Sequence, residues 1–328
     1  MHSKVKKFIS YFPVYKVLRN KKTVYDAKRS KNYQKILDDE LRYSINAIDK
    51  SSFAALCFKI KMRVHSIEKF LVTMQPQISV IEKNTDLLLE ELHEILRLKD
   101  NNDDEYQTIM DLGISAIKLT NTVDGISLEK KLKWEQFINK YDVNCVKPIS
   151  IIEGKCFSEF KGYVDFCQKR YSVRKFKKVT ISKDVVRDIV KTANLCPSAC
   201  NRQPCKVYFT EDITKIYDIR PDKNVTKDIY NYLIVTVNKS LFSNNEVLWP
   251  WINAGIFLQS LAMAIHAKGL GACIFGNMKY STTDSNFRKL AEIPDNEDIV
   301  AYIGFGELLD EYYVIEKHRD DNNILKLF

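Results

Sequence analysis

The sequence predicts an α+β domain in the second half of the chain, preceded by an all-helical region. Three observations predict this. Apolar residues recur at helical spacing from Ile36 to Phe137. Strand-like runs appear only from Cys205 onward, at Cys205–Thr210, Leu233–Val237 and Ile299–Gly306. Between the second and third of these lies one long apolar helix, Pro250 to His266.

The elements follow in order. Ile36, Leu37, Leu41, Ile45 and Ile48 repeat at helical spacing. Ser51-Ser52 offers an N-cap to a helix carrying Phe53, Leu56, Ile60, Val64 and Ile67. Pro76 interrupts, because proline cannot donate within a helix. Val80, Ile81, Leu87, Leu88, Leu92, Ile95 and Leu96 mark a further amphipathic helix, closed by the polar run from Asp100 to Asp104. The pattern resumes at Ile109, Leu112, Ile117 and Leu119, and again from Leu128 to Phe137. Residues 140–165 hold Pro148, Gly154 and Gly162 and shift in composition. The expected division is therefore a basic leader (1–35), a helical region (36–160) and a C-terminal domain (161–328).

In that domain Ser182 caps a helix from Val185 to Leu195, which Pro197 ends. Gly269 to Asn277 reads as a turn, a short strand and a turn, and Phe287–Leu290 as a short helix. Gly269 and Gly271 are not a dinucleotide fingerprint, since the third glycine and the βαβ context are missing.

The chain has 328 residues, 45% hydrophobic and 28% charged, an ordinary globular composition with room for two domains. No apolar run is long enough to span a bilayer, and no signal peptide is legible. The 8 cysteines are scattered without a CxxC pair, which predicts free thiols in a reducing cytoplasm. Cys196, Cys200 and Cys205 cluster, but their spacing matches no common ligand pattern, and no metal is expected. The net charge is +9, concentrated at the start: Lys6, Lys7, Lys16, Arg19, Lys21, Lys22, Lys28, Arg29 and Lys31 face one acid, Asp26. With Phe8, Tyr11, Phe12 and Tyr15 interleaved, this leader reads as a solvated basic segment. Peripheral contact with an anionic membrane surface is the second reading, and nucleic acid the least favoured, so no nucleic-acid partner is expected.

The stretch richest in chemistry is Arg170-Tyr171-Ser172-Val173-Arg174-Lys175-Phe176, followed past one helix by Pro197-Ser198-Ala199-Cys200-Asn201-Arg202-Gln203-Pro204. Arg170, Ser172 and Arg174 alternate, so an extended segment projects them to one side. Guanidinium forks and a hydroxyl suit phosphate oxygens. The second half has the composition of a rigid polar turn.

This pair of segments resembles the flavin-binding signature of the nitroreductase family of FMN enzymes, Arg-x-Ser-x-Arg/Lys-x-Phe and then Pro-Ser-x-x-Asn-x-Gln-Pro. The resemblance covers about the second half of the chain and leaves the first half unexplained. It implies a mixed, mainly antiparallel sheet flanked by helices, a homodimer with FMN at the interface, and NADH or NADPH as electron donor. It implies ping-pong hydride transfer through flavin N5 to a small-molecule acceptor. Arg170 and Ser172 would hold the phosphate and ribityl chain. Arg174 would lie at the carbonyl edge of the ring, where a cation stabilises the anion formed on reduction. Pro197, Ser198, Asn201 and Gln203 would border the flavin from the other subunit. Gly276 and Asn277 match the position whose backbone N–H donates to N5, so Arg174 and Asn277 are the residues expected at the chemistry. Lys317 and Arg319 match a second phosphate-binding pair, and Asn224 and Lys227 a further polar pair. Cys205 stands where the family often has an aromatic residue, and the stretch from Cys205 to Pro250 is short.

Alternatives stay open at each point. Lys317 and Arg319 also read as solvated tail charge, Gly276-Asn277 as a hairpin turn, and Asn224 and Lys227 as ordinary loop residues. His65-Ser66-Ile67-Glu68-Lys69 resembles an element found upstream of such domains in polysaccharide-biosynthesis members, with Phe70 replacing a glycine. Its plain reading is a helix-surface pair of His65 and Glu68. The alternative to an enzyme is a non-catalytic flavin-binding module, or a helical scaffold in an envelope-assembly complex near the inner face of the membrane.

Overall fold

The computed structural model describes residues 35–36, 38–39, 42–44, 52–72, 77–98, 104–141, 159–220, 226–277 and 279–315. Four helices form the first part: α1 (Phe53–Leu71), α2 (Ile78–Arg97), α3 (Asp104–Asn121) and α4 (Leu128–Ile138). Ser52 caps α1 by accepting from the Ala55 N–H at 3.3 Å, as the sequence predicts. The apolar faces converge in one core, where Ile60, Ile67, Leu92, Ile95, Ile117 and Trp134 are fully buried. Gly113 marks the closest approach of α3 to α2. A Cβ there would stand 2.8 Å from Leu92 Cδ2, so a larger residue would push the helices apart.

Trp134 carries a polar atom into this core, and its indole N–H donates to Asp86 Oδ1 at 3.1 Å. Lys130 donates to the other Asp86 oxygen at 2.8 Å. Burial by itself raises the Asp86 pKa, but the bonds from Lys130 and Trp134 outweigh it, and the net shift is downward.

The C-terminal half contains α5 (Phe160–Lys169), α6 (Lys183–Ala193), β1 (Cys205–Phe209), α7 (Thr214–Tyr217), β2 (Asn231–Asn238), α8 (Trp249–Ala267), β3 (Leu270–Gly276), α9 (Thr282–Leu290) and β4 (Glu297–Glu307). The sheet runs β1-β2-β4-β3 with every neighbouring pair antiparallel. Every residue of β2 from Asn231 to Val237 is buried, as expected of a central strand covered on both faces. Alternation along β2 divides the core. Leu233 and Val235 pack with Phe257 and Leu261 of α8 and Ile189 of α6, while Tyr232 and Ile234 pack with Phe287 of α9 and Ile216 of α7.

Three differences from the sequence reading have local causes. Helix α5 was not expected, because Gly162 weakens its pattern and it buries no residue of its own. Strand β3 pairs with β4 over its whole length, although its glycines suggested a short strand between turns. Helix α9 begins well before Phe287, since Ser281 caps it from the Asp284 N–H at 3.1 Å through a polar first turn without apolar periodicity. The helix expected around Ile36–Ile48 lies largely outside the described residues. Among the described residues no helix is long and apolar enough to cross a membrane.

The Asp86 node gives a signed prediction. Its folded pKa lies below the ordinary 3.8, so its contribution is complete above that value and is lost as pH falls through the depressed one. Asp86→Asn should lower stability at pH 7 by about 1–3 kcal/mol, with the difference from wild type shrinking below about pH 4, as read from urea unfolding of both proteins.

Candidate active site

The Arg170–Phe176 segment is held against the free edge of β3. Ser172 bridges Ala272 in parallel, and the Val173 N–H donates to the Ala272 carbonyl at 3.0 Å. Phe176 anchors the segment beneath two close-packed glycines. A Cβ at Gly306 would lie 3.0 Å from the Phe176 Cβ, and one at Gly271 only 2.6 Å from Leu308 Cδ2. Upstream, α5 is fixed through Phe166, whose carbonyl lies 3.1 Å from His266 Nε2 and whose ring packs on that imidazole at 4.6 Å. Arg170 follows directly in an extended conformation.

This arrangement brings Arg170 and Ser172 to one cavity of about 160 Å³, shared with His266, Ala272, Ile274 and Tyr312. Ser172 also lines an adjoining cavity of about 390 Å³ with Arg174, Lys175, Tyr312 and Tyr313. Both arginines are half-buried, and among the described residues neither guanidinium forms an ion pair. Two partly desolvated cations beside a hydroxyl and open space have the charge and the donor types that suit an anion. Arg170 and Arg174 also oppose the strong upward effect of burial on the Cys273 thiol, without reversing it.

Gly276 closes β3 at the exposed end of the same edge. A Cβ there would meet nothing within 4 Å, so a flat group has free approach to this backbone. Asn277 is not part of a hairpin turn. Its amide donates to Asp284 Oδ1 at 2.7 Å and to the Ile299 carbonyl at 3.0 Å, and its Oδ1 accepts from the Tyr302 hydroxyl at 2.8 Å. The side chain is thus committed to holding the end of β3 onto α9 and β4, and only the backbone is offered outward.

The Pro197–Pro204 loop lies elsewhere, and none of Pro197, Ser198, Asn201 or Gln203 lines either cavity. Cys200, Asn201 and Gln203 all have positive φ, near 50°, which costs L-residues roughly 1–2 kcal/mol each. Internal bonds offset part of this cost: Ser198 Oγ accepts from the Gln203 N–H at 3.0 Å, Gln203 Nε2 donates to Asn201 Oδ1 at 3.0 Å, and the Ala199 N–H donates to Asn253 Oδ1 at 2.8 Å.

The strongest anchor of the loop is Arg202, which the sequence reading passed over as an unassigned motif position. It is buried, with a bidentate pair to Glu246 at 2.7 and 3.1 Å and a bond to the Leu241 carbonyl at 2.9 Å. Its guanidinium also lies over the rings of Phe242 and Phe58. Burial raises the Glu246 pKa, but Arg202 and the bonds from Ser243 outweigh it and lower the net value. The only signal in the sequence was a charged residue inside a rigid turn.

Of the remaining candidates, Lys227 is exposed, while Asn224, Lys317 and Arg319 lie outside the described residues. His65 and Glu68 form a long pair at 4.0 Å on the surface of α1. Burial, then Lys69 and Arg202, lower the His65 pKa. Burial pushes the Cys205 thiol up to about 12, far from a reactive thiolate. Among the described residues no group of three or more His, Cys, Asp or Glu is placed to hold a metal ion.

Comparison with known proteins accords with this geometry. Residues 167–233 and 243–307 match the model of the family described as "Nitroreductase family". Similar solved structures include an FMN-dependent nitroreductase from Clostridium difficile R20291, 21% identical over 50% of this chain and 98% of that one, TM-score 0.43. A protein from Bacteroides thetaiotaomicron VPI-5482, described as an NADH dehydrogenase/NAD(P)H nitroreductase, is 20% identical over 50% of this chain and 96% of that one, TM-score 0.44. A third, described as a nitroreductase in complex with FMN, from Desulfovibrio desulfuricans, is 19% identical over 49% of this chain and 94% of that one, TM-score 0.41. No curated protein matches. The C-terminal half of the chain is a nitroreductase-like α+β domain; the nitroreductase family model matches β1, the start of β2, α8, β3 and β4, and the four helices of the first part lie outside that match.

Proposed function

We propose that this protein is an FMN-dependent oxidoreductase that works as a homodimer, with NADH or NADPH as donor and a small organic acceptor. The observation that carries the reading is the pair of half-buried arginines flanking Ser172 at open cavities, without an ion pair among the described residues and on a segment inside the family match. FMN, when bound, supplies the redox chemistry, taking up a hydride and passing electrons on. The protein supplies charge and position. Arg170 and Ser172 would hold the phosphate, and Arg174 would keep a cation beside the ring. The backbone at Gly276 and Asn277 would face the ring through the open side of β3, with Asn277 itself locked by Asp284, Ile299 and Tyr302.

The homodimer is supported by α8. This helix is apolar around its whole circumference: Ala254, Phe257 and Leu261 are buried, while Trp249, Trp251, Ile252 and Ile256 are exposed. A helix of that kind is stable when both sides are covered. A second copy would also supply the Pro197–Pro204 loop that each chain lacks at its own cavities.

The first test is the visible spectrum of protein mixed with FMN, before and after anaerobic NADH or NADPH. Bound flavin that bleaches supports the reading, and protein that takes up no FMN sinks it. Arg174→Ala should weaken FMN binding or slow its reduction by about 10–100-fold, the worth of one charge-assisted bond of roughly 1.5–3 kcal/mol. Unchanged affinity and rate would remove Arg174 from its role. Ile256→Glu should convert the dimer to monomer in sedimentation and release flavin with it. A dimer that survives this change would have its interface elsewhere.

A further inference from the structure

Among the described residues, the helical region outside the family match reaches the C-terminal domain near the Pro197–Pro204 loop, near the turn that follows Asn277, and at Lys239, whose amine lies 5.2 Å over the Tyr43 ring. Helix α1 presents one face to its own core through Leu56, Ile60, Val64 and Ile67. Phe58 and Lys61 lie on another face and reach the Pro197–Pro204 loop. Phe58 packs with Leu241, Phe242 and Ala254, and its ring lies 5.2 Å from the Arg202 guanidinium. Lys61 Nζ donates to the Arg202 carbonyl at 3.4 Å. The loop thus grips the domain through the Arg202 fork and is gripped by α1 through the same residue.

The second place is the turn that follows Gly276-Asn277. Asp39, upstream of α1, pairs with Lys279 at 3.4 Å and accepts from the Tyr280 hydroxyl. The Lys35 amine lies 3.9 Å over the Tyr280 ring. Charge balance makes Asp39 more than a surface contact. Lys239, Lys279 and Arg288 converge on Asp298, with Asp284 as a second partner of Arg288 and Asp39 as a second partner of Lys279. Asp39 thus adds a carboxylate beside a cluster in which Asp298 receives three cations. Tyr280 itself has positive φ, so the turn needs support from outside.

We propose that the N-terminal region is a brace for the two loops at the flavin site: α1 clamps Pro197–Pro204 through Phe58 on Arg202, and Asp39 clamps 279–280 through Lys279 and Tyr280. The role at flavin rests on the function proposed above; the clamping rests on these contacts alone. In a dimer the first loop serves the partner's site and the second serves its own, so one region steadies both sites. Phe58, Arg202 and Asp39 are positioning residues, acting through loop backbone.

The test compares wild type with Phe58→Ala, Phe58→Tyr and Asp39→Asn as full-length chains. Amide hydrogen exchange without added FMN reads the loops directly. Phe58→Ala should speed exchange at Asn201, Arg202 and Gln203 about tenfold and leave Tyr280 unchanged. Asp39→Asn should do the reverse, and Phe58→Tyr, which keeps a ring over Arg202, should restore wild-type exchange. FMN titration should then show binding weakened about five- to tenfold in the two loosened variants, with altered visible circular dichroism of the bound flavin, and restored in Phe58→Tyr. Unchanged exchange in both variants overturns the brace. Faster exchange with unchanged FMN affinity overturns its link to the site. Faster exchange in the two variants, with a wild type that binds no FMN, leaves the brace standing and refutes the flavin reading.

Discussion

The structure of the C-terminal domain depends on two adjacent carboxylates buried at the start of β4. Asp298 receives Lys239 at 3.0 Å and Lys279 at 2.9 Å, and Glu297 receives the Tyr208 and Thr236 hydroxyls and Lys206. Both acids are about 1% exposed. A buried charge is tolerated only when its partners are in place, because desolvation costs several kcal/mol per ion. Side chains from β1, β2, the turn after β2, the turn after β3 and α9 must therefore meet at one end of one strand. Burial opposes the charge on Lys279, yet Asp298 more than offsets it and raises the amine's pKa.

The Pro197–Pro204 loop shows the complementary arrangement, strain set against anchorage. Three non-glycine residues with positive φ raise its energy. One buried arginine holds it by a two-pronged ion pair, a carbonyl and two aromatic faces. Breaking such a pair from one side leaves an uncompensated charge and costs about 3–5 kcal/mol. The loop is therefore anchored through one residue despite its exposure.

Among the described residues Arg170 and Arg174 have no carboxylate partner. Elsewhere in the domain the cations Lys206, Lys239, Lys268, Lys279 and Arg288 have found carboxylates. Arg170 and Arg174 sit half-buried on an extended segment fixed by Phe176 and line the two cavities. Leaving two cations unpaired beside a cavity is unfavourable unless an anion completes them.

The sequence by itself determined the caps at Ser52 and Ser182, the buried character of β2 and the existence of the long helix α8. These are local properties, carried by periodicity and by residue chemistry over a few positions. It could not show that Asn277 is a structural hub, because its partners Asp284, Ile299 and Tyr302 are assembled by strand pairing and helix capping. It could not separate Arg202 from Arg170, since both read as arginines in a motif. Only the tertiary structure decided that one is buried against Glu246 and the other open to a cavity. Nor could spacing along the chain bring Phe58 to Arg202 or Asp39 to Lys279. Contacts between residues so far apart in sequence depend on how two cores dock, and that is fixed by packing and charge balance across the whole chain rather than by any local pattern.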